Sequence, residues 1–156
     1  MSAFIHFING DTQTMAHYTQ YLKHHVDLLQ EFKAASASFP PLSSTLTETS
    51  KGDEHDFEEN DEWIATLDQL CQMHGYSESM NEKGQWLISR IVSTYSHLMP
   101  ILNRDLLWFF GGNCLHYMPD EEIALYQQLD ELRFSAENAG HDFNYAGAKH
   151  SLIQPH

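Results

Sequence analysis

Basic residues are scarce: 8 Lys and Arg stand against 22 Asp and Glu in 156 residues, a formal charge of −14 with His neutral. A chain that tracks a phosphate backbone or adheres to an anionic bilayer needs a cationic surplus, so neither nucleic acid nor a membrane is an expected partner. Cysteine is scarce too. Cys71 and Cys114 lie far apart and outside any Cys-x-x-Cys pair, which predicts free thiols in a reducing compartment and no disulfide framework. Long apolar runs are missing. The densest clusters, Leu98 to Leu102 and Leu106 to Phe110, are separated by Asn103, Arg104 and Asp105, far short of the roughly 20 residues of a membrane span. No Lys or Arg precedes the broken apolar stretch from Phe4 to Ile8, so the N-terminus does not read as an export signal, and a cytoplasmic location is expected. Gly-x-Ser-x-Gly, His-Glu-x-x-His, phosphate-loop and dinucleotide fingerprints are all absent, which leaves no sequence signature of an enzyme.

Leu, Ile, Val and Phe still make 36 residues, enough for one folded domain over 1–156. Only 2 of them are Val against 17 Leu, a bias towards unbranched side chains that keep more rotamer freedom in a helix. Periodicity agrees. Met15, Tyr18, Leu22, Val26, Leu29 and Phe32 recur every three or four residues and predict a helix over 12–37. Residues 38–60 hold Pro40-Pro41, several Ser and Thr and the acidic run Asp53 to Asn60, and read as a long exposed loop. A second helix is predicted from Asn60 or Asp61, through Trp63, Leu67 and Leu70, to a stop at Gly75. A third runs from Ser79 to Leu98, weakened by about 1 kcal/mol at Gly84 relative to Ala. Pro100 forces a break, after which Ile101 to Phe110 reads as a short buried helix ending at Gly111-Gly112. Pro119 and Asp120 to Glu122 mark the start of a last helix, with Ile123, Tyr126, Leu129, Leu132 and Ala136 following. Residues 141–156 read as a loosely packed tail in which Phe143, Tyr145, Leu152 or Ile153 could dock. The expectation is an all-α fold, an irregular bundle of four long helices plus one short buried one, with an acidic loop.

Three groups of residues could carry function. The first is the acidic run: eight carboxylates between Glu48 and Glu62 face the single Lys51, a net of −7 and half the charge of the chain. Asp53, Glu54, Asp56, Glu58, Glu59, Asp61 and Glu62, with Trp63 as an aromatic anchor, would suit a basic protein partner. The plainer alternative is a solvated segment that keeps the protein soluble. Calcium is not indicated, because the run lacks the fixed acids, central Gly and twelfth-position Glu of an EF-hand.

The second group lies in the joint Trp108 to Glu122. Were Asn113 to Tyr117 extended, Cys114 and His116 would share a side, and with Glu121 they could form a zinc site, or alone a thiol and imidazole pair. Against this stands a simple turn with a buried Cys. The third group is the stripe His17, His24 and Glu31 at spacings of seven, with His25 beside it; facing inward in a bundle it could bind a metal, but Glu-x-x-His spacing is absent, and a solvated face is the simpler reading. With all 11 His protonated the charge would move from −14 to −3.

The stretch Asp105-Leu-Leu-Trp-Phe-Phe-Gly-Gly-Asn-Cys-Leu-His-Tyr-Met-Pro-Asp-Glu-Glu-Ile123 resembles a family of small acidic uncharacterised proteins of gamma-proteobacteria. The resemblance covers the last third of the chain. It implies a bacterial, cytoplasmic setting and brings no activity, cofactor or functional residue to transfer. The sequence therefore predicts a non-enzymatic interaction or regulatory protein that binds a basic partner. The alternatives are the Cys114 site and a homodimer that hides the apolar surface of Trp108 to Phe110.

Overall fold

Leu22, Leu29 and Phe32 are buried along one side of helix α1 (Thr12–Ser36), as their spacing of seven and three requires. The computed structural model describes residues 12–38 and 54–153, with side chains at 20–38 and 60–153. Every regular element among the described residues is helical, and there is no strand.

Helix α2 (Glu54–Cys71) begins earlier than the sequence suggested. The segment from Glu54 to Asn60, read as loop, is its first two turns, while residues 39–53 lie outside the described residues. Lack of apolar spacing had argued for a loop, but Glu is a good helix former and carboxylates near a helix N-terminus meet the positive end of the macrodipole. Helix α3 (Glu78–Ser93) starts where Ser77 accepts a hydrogen bond from Met80 N at 3.1 Å. It stops before the expected Leu98. A 3₁₀ helix (Ser96–Ile101) containing Pro100 follows, then α4 (Arg104–Phe110), whose N-cap Asn103 accepts from Asp105 N at 2.9 Å. Gly111 and Gly112 end α4 with φ of 64° and 56°, backbone that a side chain strains. A second 3₁₀ helix (Gly112–Tyr117), α5 (Asp120–Asn138) and α6 (Tyr145–Ile153) complete the chain. Among the described residues no helix is long and apolar enough to cross a membrane.

The chain divides into two compact units, residues 24–117 and residues 1–23 with 118–156. In the first, Trp63 of α2 is 1% exposed and donates its indole N–H to Leu87 O of α3 at 3.2 Å. Its ring lies 6.1 Å from Phe32 and 5.1 Å from Tyr95, and Leu67, Leu70, Ile91, Leu98 and Leu106 fill the surrounding core.

In the second unit two charged residues share the buried face of α5. Its buried residues are Tyr126, Leu129, Arg133 and Glu137, whereas Leu132 is 43% exposed. Spacings of three, four and four continue the apolar stripe straight through the two charged residues. Arg133 is tolerated there because its cation is matched: Nη1 donates to Glu137 Oε1 at 3.1 Å, Asp130 Oδ1 is 3.6 Å from Nη2, and the Tyr21 ring is 3.9 Å below. Within the expected tail, Tyr145–Ile153 forms α6, and Tyr145 is buried and edge-on to Tyr21 at 5.6 Å.

Candidate functional site

The acidic run becomes a helix surface. Glu54 to Glu62 puts six carboxylates into nine consecutive helical residues, and α2 contains no Lys or Arg. Charges three and four residues apart adjoin on a helix, so Glu58 with Glu62 and Glu59 with Glu62 are like-charge neighbours costing roughly 0.2–0.5 kcal/mol per pair. The side chains of Glu54, Asp56, Glu58 and Glu59, and all of Asp53, lie outside the described residues; Asp61 and Glu62 are exposed. Trp63 does not serve beside them as a surface anchor. It is buried in the core, and its one polar group is bonded to Leu87 O.

Next to this surface lies a cleft lined by Lys33, Ser36 and Ala37 of the α1 end and Trp63, Ile64, Leu67 and Asp68 of α2. Its volume is about 110 Å³, well below the roughly 300–1,000 Å³ of small-molecule sites. Lys33 Nζ and Asp68 Oδ1 close its rim at 2.6 Å, and the Asp68 carboxylate raises the Lys33 pKa. Both side chains are largely exposed, so the pair contributes little to stability.

The joint after α4 is a 3₁₀ helix and not extended, which removes the premise that put Cys114 and His116 on one side. At 3.0 residues per turn, positions two apart diverge. Cys114 points into the core at 1% exposure, while His116 is exposed. Burial pushes the Cys114 thiol up to about 11. At neutral pH it is protonated, whereas nucleophilic attack and metal binding both use the thiolate. Glu121 is exposed in the first turn of α5 and belongs to the other unit. Among the described residues no group of three or more His, Cys, Asp or Glu is placed to hold a metal ion. Phe109 and Phe110, offered as dimer surface, are buried, and only Trp108 of that trio is half-buried.

Two polar pairs escaped the sequence reading. His24 Nε2 donates to Asp105 Oδ2 at 3.0 Å, and that carboxylate is buried. His25 is fully buried, stacked on Phe109 with ring centroids 4.4 Å apart. His17 lies outside the described side chains and Glu31 is exposed, so the heptad stripe does not assemble as a unit. The His24 pair joins residues 81 positions apart, which no local pattern discloses. The Arg133 and Glu137 pair was visible as an i, i+4 spacing, but its burial was not.

No curated protein and no solved structure matches the chain. A family model described as PA2817-like matches residues 17–156, a span containing every described side chain discussed above. The chain belongs to the PA2817-like family.

Proposed function

We propose that this protein is a non-enzymatic, cytoplasmic interaction module that docks a basic partner on the N-terminal half of α2. The observation that carries this reading is the concentration of six carboxylates in the nine residues Glu54 to Glu62 of a helix without Lys or Arg. A helix with this charge repels itself, and cations supplied from outside relieve that repulsion while steering encounter. Trp63, Leu67 and Leu70 anchor α2 in the core, and Asp61 and Glu62 stand exposed just before them on the same helix. The protonated Cys114 thiol gives the rival thiol-dependent site no comparable support.

The test is fluorescence anisotropy of a labelled Lys/Ala peptide titrated with the full chain. Affinity should fall steeply between low salt and about 1 M, where the screening length shrinks to about 3 Å. The double variant Asp61→Asn/Glu62→Gln should weaken binding several-fold. Equal binding of a Glu/Ala peptide, or affinity indifferent to salt, overturns the proposal.

A further inference from the structure

We propose that the cleft between the end of α1 and α2 is the seat for a single aliphatic side chain of that basic partner, the apolar anchor that Trp63 does not provide. The inference rests on the reading above and names where on the module the partner is gripped.

Size is the first argument. A cleft of about 110 Å³ corresponds to roughly four waters at about 30 Å³ each, which suits the four-carbon side chain of one Leu or Ile. Chemistry is the second. The lining is mostly apolar, from Trp63, Leu67, Ile64 and Ala37, while Ser36 Oγ donates to Lys33 O at 2.9 Å and Lys33 pairs with Asp68 at the rim. An apolar group gains from entering a space with such a lining.

Charge complementarity identifies the occupant. Asp61 stands three residues before Ile64 and seven before Asp68, so helical spacing puts it on the cleft's side of α2, one turn upstream. Glu62 is exposed next to it, and the rest of the acidic half of the helix continues from there. An aliphatic residue seated in the cleft therefore has carboxylates ahead of it along α2, matching a segment in which one Leu or Ile is flanked on one side by Lys or Arg.

Three labelled peptides distinguish this inference from the reading on which it rests: Lys/Ala with one central Leu, the same peptide with Leu→Ala, and the Leu peptide with Glu for Lys. Titrated with the full chain, the Leu peptide should bind at least about tenfold tighter than its Ala counterpart, and the Glu peptide should not bind. Ala37→Trp, which fills the cleft from an exposed position, should erase the Leu preference and leave the Ala peptide's affinity unchanged. Independently of any variant, the Leu peptide should shift the NMR signals of the Trp63 indole N–H and the Ser36 and Ala37 amides. Equal affinity of the Leu and Ala peptides with salt-dependent binding intact overturns the cleft alone. Absence of binding by both overturns the proposed function with it. A Leu preference that survives Ala37→Trp, without shifts at Trp63, places the anchor elsewhere and refutes this assignment.

Discussion

Replacing Gly84 by Ala separates helix propensity from packing, because the two predict opposite signs. Propensity alone makes Gly84→Ala in α3 stabilising by about 1 kcal/mol. The packing says otherwise. A Cβ at Gly84 would stand 2.1 Å from both Cδ1 and Cε1 of Phe110, where carbon atoms ordinarily keep about 3.5–4.0 Å. The ring would have to retreat by roughly 1.5 Å from its place. It has little room: Phe110 is buried, Phe109 packs edge-on at 5.0 Å, and Phe110 O accepts from Gln85 Nε2 at 2.9 Å. Overpacking of this kind costs about 3 kcal/mol at the upper end of its usual range, so the net effect is about 2 kcal/mol of destabilisation. At about 2–4 °C per kcal/mol for a chain of this size, Tm should fall by about 4–8 °C. Thermal and urea unfolding followed by far-UV circular dichroism measure it. Gly75→Ala is the control, since nothing lies within 4 Å of that Cβ, and its Tm should hold or rise slightly. A Gly84→Ala protein as stable as the parent would refute the close approach of α3 to Phe110.

Three further outcomes follow from the buried polar groups. The folded Cys114 thiol keeps its proton to about pH 11 while the unfolded one loses it near 9.0, so its contribution is complete below pH 9 and is lost as pH rises towards 11. The loss amounts to about 3 kcal/mol; urea midpoints against pH should show Cys114→Ala declining less over this window than the parent, and parallel curves would count against it. Trp63→Phe removes the donor to Leu87 O and should cost about 1–3 kcal/mol by urea titration, with no change in Lys/Ala peptide affinity when measured on the folded protein. Arg133→Leu leaves Glu137 buried without its cation and should cost about 3–5 kcal/mol, while Arg133→Leu/Glu137→Leu recovers most of it; equal losses in the single and double variants would show that the pair is not the source.

Much of the helical architecture was legible because helices are written locally. The 3.6-residue period placed α1, Pro119 with its following acids placed the start of α5, and paired glycines placed the end of α4. The misreadings arose where local composition competes with context. The Glu54 to Asn60 segment has no apolar stripe, yet charge at a helix N-terminus and good propensity carry α2 through it. On α5 hydropathy does not decide the face: Leu132 is exposed, and Arg133 occupies the buried position because Glu137, Asp130 and the Tyr21 ring satisfy its cation.

The sequence by itself determined the helical class, the free thiols and the −7 concentrated between Glu48 and Glu62, since these follow from composition, spacing and charge count. Tertiary structure decided which of those residues are available. It took Trp63 from the acidic surface into the core, turned Cys114 inward where desolvation holds its proton, and gave Asp105 the distant His24. Burial depends on what the rest of the chain brings to a helix face. That information lies in contacts between residues tens of positions apart, beyond the reach of any window of sequence.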